Sequence, residues 1–269
     1  MAYIKYIKIG LIGLVLASCA TQAHSGNYLG KYQQAVARYE TKDYYEALQL
    51  FKEVIPMLKG RKEIIPAQFF QAYACFYQKS YRMSAHYFEA FYKTYPRIEQ
   101  AEEALYMQGH SLYLISPDVR LDQTPTEKAL KVLQAYLDKY PQGIYREEAR
   151  RYSDELQVKL MLKLFESAKL YYELGHYKAA VIALKNFQVK YPESIYQEEV
   201  LCLQIQAQYK CAFESEVKDK EQFDRLYAVI NCYYTFLDKF PNSKYLKALE
   251  SVYNTSLEKI NNFVIDKNN

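Results

Sequence analysis

Apolar residues recur along this chain at intervals of three and four, and four of the resulting stretches close on an aromatic residue followed by proline. They are Phe88 to Pro96, Leu133 to Pro141, Leu184 to Pro192 and Tyr233 to Pro241. That spacing is the period of an α-helix with one buried face. Proline cannot continue such a helix, because it lacks the amide donor and clashes with the preceding turn, so each aromatic-proline pair predicts a helix stop. Pro96, Pro141, Pro192 and Pro241 stand 45, 51 and 49 residues apart, longer than the ~34 residues of a minimal two-helix repeat.

The clearest unit runs from Ala168 through Gly175, Tyr177, Ala180, Leu184 and Phe187 to Pro192, and it resembles the tetratricopeptide repeat (TPR). Small residues at Ala168 and Ala180 allow two helices to approach closely. Gly175 supplies a permissive backbone for the turn, Tyr177 packs back onto it, and Leu184 and Phe187 bury against the next unit. The register recurs at Ala35, Tyr44, Ala47, Phe51 and Val54, and again at Ala72, Tyr81, Ser84, Phe88 and Phe91. Two further units are more degenerate, around Gly109, Ala129 and Leu133 and around Ala207 with a helix from Glu221 to Phe240.

The surplus length predicts a loop at Ser116 to Thr126, a polar turn at Glu214 to Lys220, and an uninterrupted helix from about Ile144 to Leu174. After Pro241, Asn242 and Ser243 can cap a last helix through roughly Phe263. The expected fold is all-α, a right-handed superhelical solenoid of about five TPR-like helix pairs plus a C-terminal capping helix. Its expected parts are units one to three in 28–141, units four and five with the cap in 142–263, and a frayed tail at 264–269.

The N-terminus changes the compartment. Lys5 and Lys8 precede a short apolar run, the order of a signal peptide, and the run is too short for a mature membrane span. Leu16-Ala17-Ser18-Cys19 resembles a lipobox, which makes residues 1–18 the signal, Cys19 the lipidated mature N-terminus and 19–27 a tether. Acyl chains on Cys19 would hold the chain to a membrane, each buried methylene contributing roughly 0.8 kcal/mol. A cleaved ordinary signal with a chance cysteine, or a signal anchor, are the alternatives. In lipoproteins of this kind an Asp after the cysteine favours the inner membrane and an acidic run favours the surface. The tether has neither, so an outer-membrane, periplasm-facing location is expected.

Among 269 residues, 30 are Tyr and none is Trp, and a Tyr-rich, breaker-poor composition suits packed helices. Loss of Lys5 and Lys8 leaves 33 basic against 31 acidic residues, a balance that argues against nucleic acid as a partner. Cys75, Cys202, Cys211 and Cys232 sit in apolar helical stretches without a metal or redox spacing and read as core thiols. His24, His86, His110 and His176 share no metal-ligand spacing, and no phosphate loop or nucleophile motif is present. Neither an enzyme nor a cofactor is expected.

Taken together, the lipobox, the five repeats, the long fourth-unit helix, Ser116-Pro117-Asp118 with Asp122-Gln123-Thr124, and Glu148-Ala149-Arg150 leading to Tyr171-Tyr172 and Gly175-His176-Tyr177 resemble the BamD family. These are lipoproteins of the outer-membrane β-barrel assembly machinery, and the resemblance covers essentially the whole chain. The Tyr-rich composition is similar to the versions from Bacteroidetes. The resemblance implies a periplasmic scaffold that docks through its C-terminal repeats on a BamA-like barrel insertase, joins other assembly lipoproteins, and receives unfolded outer-membrane proteins near its N-terminal repeats. A TPR adaptor for peptidoglycan or division proteins is the rival reading. A glycan-binding lipoprotein is disfavoured because it would want Trp platforms.

In a repeat superhelix the first helix of each pair lines the groove. By register Tyr32, Tyr39, Phe69, Tyr73, Tyr77, Tyr106, His110 and Tyr113 face it, a surface suited to an extended peptide with a terminal aromatic. The competing reading has half of these rings plugging helix interfaces. Arg146, Arg150 and Arg151 are candidates for pairing with acids of the insertase, against the alternative of a solvated charged face. Gly175, Tyr177, Ala180, Pro96, Pro141, Pro192 and Pro241 are read as structural.

Overall fold

The four aromatic-proline pairs are all helix ends, and each is built the same way. The aromatic before proline makes the last helical hydrogen bond, Tyr95 to Phe91, Tyr140 to Tyr136, Tyr191 to Phe187 and Phe240 to Phe236, at 2.8–2.9 Å. Its ring also packs on the ring of the residue that accepts that bond, with centroids 5.2, 5.6, 5.5 and 5.4 Å apart respectively. Partners four apart lie one above the other on a helix, so the stop signal is also a packing device. The inner ring of each pair, Phe91, Tyr136, Phe187 or Phe236, is 0–2% exposed.

A computed structural model describes residues 28–213 and 219–268, which are helical with no strand among them. Cys19, the signal and the tether lie outside the described residues. In order the helices are α1 (Tyr28–Glu40), α2 (Tyr44–Val54), α3 (Ile64–Tyr77), α4 (Tyr81–Thr94), α5 (Gln100–Leu114), α6 (Thr124–Lys139), α7 (Arg146–Glu173), α8 (Tyr177–Lys190), α9 (Gln197–Ala212), α10 (Asp219–Lys239) and α11 (Leu246–Asn268). A 3-10 turn, Ile55–Leu58, follows α2. No helix among the described residues is long and apolar enough to cross a membrane.

Packing divides the chain into two compact units, 1–78 and 79–269. The first is cored by Ala35, Ala47, Phe51, Val54, Leu58 and Ala67, all fully buried. In the second, successive helices pack on one another, and α5 also touches α7, α7 touches α9 and α9 touches α11. The first helices of successive pairs thus form one layer. The pair α7–α8 matches the TPR pattern residue by residue. Ala168, Ala180, Leu184 and Phe187 are fully buried, the Tyr177 ring packs edge-on against Tyr172, and Gly175 has φ +78°.

Several boundaries differ from expectation. The segment after Pro141 is tied into both neighbouring helices. The Tyr136 hydroxyl on α6 donates to Glu102 on α5, that carboxylate accepts the Ile144 amide, and the Tyr145 amide donates to the Tyr136 hydroxyl. A side chain at Gly143 would strike the Glu102 carboxylate and the Tyr136 hydroxyl, so this network would have to shift to admit one. The loop expected to Thr126 ends sooner: α6 begins at Thr124, where Asp122 accepts from the Thr124 amide. Proline in a first helical turn loses no hydrogen bond, and Pro125 occupies that turn. Helix α10 begins at Asp219, ahead of the expected Glu221. Helix α11 runs to Asn268, past Phe263, so 264–268 is helix rather than a frayed tail.

Candidate protein-binding surfaces

In the first unit, rings from three helices stack on one another. Tyr39 stacks on Phe70 at 4.8 Å and Tyr44 on Tyr77 at 4.7 Å. Tyr73 stacks on Tyr77 at 5.8 Å and meets Phe69 edge-on at 5.2 Å. The Gln78 side chain donates to the Tyr44 carbonyl at 2.7 Å, fixing the end of α3 against the start of α2. Within this surface Phe69 is buried, Tyr32, Tyr39 and Tyr73 are half-buried, and Tyr77 is 39% exposed. Burial, and then the charge of Glu63, raises the pKa of Tyr32, so it stays a neutral hydroxyl. The result is a shelf of stacked rings with accessible edges, able to take apolar or aromatic side chains and to hydrogen-bond a peptide backbone.

The second unit uses its rings differently. Tyr145 lies on Tyr106, His110 stacks on Tyr152 at 5.0 Å, and Tyr152 stacks on Tyr113 at 4.2 Å. The Arg151 guanidinium covers the Tyr152 ring at 4.6 Å. Tyr106 donates to Glu148 at 2.9 Å, Tyr113 donates to Glu155, and the Tyr152 hydroxyl meets His110 Nε2 at 3.4 Å. This ladder joins α5 to α7. Tyr106 is buried and His110 half-buried, so these two groove candidates are largely spent on packing, and Tyr113 is hydrogen-bonded at the ladder's end. Burial holds the His110 pKa below its usual value, with Arg151 acting in the same direction and Glu148 against it. The bond to Glu155 and burial push Tyr113 up to about 12.

The arginine trio is not one surface. Arg151 is committed to Tyr152 and to Glu155 at 3.2 Å. Arg146 pairs with Glu147 at 2.8 Å, and no ion pair reaches Arg150 among the described residues. Arg146 and Arg150 line a groove of about 590 Å³ between α6 and α7, together with Ser153 and Asp154. Sequence reasoning missed the last two, because nothing in a helical register marks a serine as the floor of a groove. The four described cysteines are free thiols, and burial pushes Cys75 and Cys202 up to about 11, which keeps them protonated and unreactive.

Residues 27–223 match a family described as YfiO, outer membrane lipoprotein. The chain belongs to this family. Among curated relatives, a candidate outer membrane protein assembly factor BamD of Aquifex aeolicus is 27% identical over 196 residues, covering 71% of this chain and 64% of that protein. The outer membrane protein assembly factor BamD of Rickettsia prowazekii is 21% identical over 212 residues, covering 77% and 84%. This chain therefore spans less than two thirds of the first relative. A solved Podosopora anserina candidate kinesin light chain with nearly identical TPR-like repeats has 12% identity and a TM-score of 0.34, covering 83% of this chain and all of that one. For this YfiO/BamD-family member, the matched segment takes in all three surfaces just described.

Proposed function

We propose that this chain is a lipid-anchored scaffold on the periplasmic face of the outer membrane, which binds a BamA-like barrel insertase and other assembly lipoproteins and assists the insertion of unfolded outer-membrane proteins. The observation that carries this is the family match across residues 27–223. Its support comes from the aromatic shelf of the first unit, where Tyr39, Tyr73 and Tyr77 offer ring edges to an extended, aromatic-bearing chain. The scaffold works by binding and not by catalysis. Anchoring is assigned to acyl chains on Cys19, and docking to the second unit, with Arg146 and Arg150 as contacts available to acidic groups.

A pull-down of the tagged chain from detergent-solubilised envelope tests this reading. The barrel insertase should co-purify, and depletion of the chain should lower the amount of folded barrel proteins. Recovery of peptidoglycan or division proteins without the insertase would replace the reading with that of an envelope adaptor. Cys19→Ala should release the chain from the membrane fraction.

A further inference from the structure

The helix crossings that follow Pro141, Pro192 and Pro241 are built alike, which makes their differences informative. Counted from those prolines, position 153 on α7 corresponds to 204 on α9 and 253 on α11. On α9 it is Gln204, whose side-chain oxygen accepts a hydrogen bond from Gln188 on α8. On α11 it is Tyr253, whose hydroxyl meets that of Tyr234 on α10 at 2.9 Å. Both crossings are closed by a side-chain bond between the two helices. Between α6 and α7 the position is Ser153, too short to reach across, and Leu137 stands where α8 has Gln188. The crossing stays open, as the groove of about 590 Å³.

Its walls carry unused polar capacity. Ser153 is 2% exposed, and its hydroxyl has no hydrogen-bond partner among the described residues, an arrangement that is unfavourable while nothing fills it. Arg150 lies one turn before Ser153, and Arg146 one turn earlier still, its one ion pair being with the Glu147 side chain, which is 79% exposed. Asp138 holds Gln134 at 2.8 Å, and Asp154 borders the groove beside Ser153. We propose that this groove binds an extended acidic peptide segment. A carboxylate side chain sits on Arg146 and Arg150, whose guanidinium forks match its two oxygens, with the Ser153 hydroxyl turned to donate to it. The segment's backbone amides donate to Asp154 and Asp138. The two arginines take a carboxylate and the two aspartates take N–H donors, and a peptide brings both where a bare phosphate brings no N–H donor. The site does not depend on which assembly the chain serves.

The test is fluorescence anisotropy on the full chain purified in detergent, with an end-blocked, fluorescein-labelled peptide of alternating glutamate and serine. Its glutamine and lysine counterparts and inorganic phosphate are the controls. The glutamate peptide should bind, Arg150→Gln should weaken it about tenfold or more, and Leu137→Gln with Ser153→Gln, which copies the closed α8–α9 crossing, should abolish it. Equal binding of the glutamine peptide, preference for the lysine peptide, displacement by phosphate, or survival of binding in the closed variant would each overturn the proposal. If the closed variant fails to fold by circular dichroism, Arg146→Gln with Arg150→Gln decides the matter, since neither side chain is in the core.

Discussion

Tyr145 lies flat on Tyr106, with ring centroids 4.2 Å apart and planes 4° from parallel. The same relationship returns one repeat later, where Tyr196 stacks on Phe165 at 4.5 Å and 16°. In both cases the lid is the fourth residue after a closing proline, and the ring beneath belongs to the first helix of the preceding pair. The chain leaving one repeat is thereby clamped onto the repeat before it. Tyr145 is half-buried and its pKa is raised by burial and by Glu103, so the ring is held neutral.

Replacing Tyr145 with Ala removes the stack and exposes Tyr106, and should lower stability by about 2–3 kcal/mol, the aromatic pair contributing roughly 1 kcal/mol of that. Tyr145→Phe keeps the stack and should cost under about 1 kcal/mol. Urea unfolding followed by circular dichroism gives both values, and equal losses in the two variants would show that the hydroxyl, not the ring, holds the clamp.

A second recurrence concerns the turn inside each pair. Gly175 has φ +78°, with the Gly175 amide donating to the Tyr172 carbonyl and the His176 amide to that of Tyr171, the two bonds of a Schellman ending. Lys42 holds the equivalent place in the first repeat at φ +64°, with Lys42 bonded to Tyr39 and Asp43 to Arg38. A side chain in this left-handed region costs about 1–2 kcal/mol. Gly175→Ala should therefore destabilise by about 1 kcal/mol, although nothing lies within 4 Å of the added carbon. Lys42→Gly should stabilise by a similar or smaller amount, as the same urea titration would register.

The repeat was legible because its stop signal and its small contacts are local: Pro141 and Pro192 end helices whatever surrounds them, and Ala168 and Ala180 follow a fixed register. Boundaries were less legible where one residue type serves two purposes. Pro125 reads as a loop residue yet sits in the first turn of α6. For the candidate surfaces, register put Tyr106 and Tyr77 on the same kind of helix face. What separates them is Tyr145, which covers the Tyr106 ring, and Glu148, which takes its hydroxyl, both from outside its own helix, and no periodicity carries that information.

Stability should fall at both ends of the pH scale. Burial lowers the His110 pKa from the ordinary 6.5, so the unfolded chain takes up that proton more readily. Stability from this group is complete above pH 6.5 and is lost as pH falls through the folded value. Tyr106, Tyr113, Tyr136 and Tyr145 are raised from the ordinary 10.0, so the unfolded chain ionises first as pH rises above 10. Chemical denaturation across pH should give a plateau between these limits, and His110→Gln should flatten the acid limb alone. An unchanged acid limb in that variant would assign the loss to other groups.

The sharpest separation of binding from packing lies between Tyr77 and Tyr106. Tyr77 is 39% exposed and stacked on Tyr44 and Tyr73, so Tyr77→Ala should cost only about 1 kcal/mol. Tyr106 is 3% exposed beneath Tyr145 and hydrogen-bonded to Glu148, so Tyr106→Ala should cost about 3 kcal/mol or more. If the first-unit shelf receives the aromatic ends of unfolded barrel proteins, the order reverses for binding. Affinity for a synthetic peptide ending in phenylalanine, measured by calorimetry under native conditions, should drop about tenfold or more in Tyr77→Ala and hold in folded Tyr106→Ala. Retention of full affinity by Tyr77→Ala would leave the rings of the first unit as packing alone.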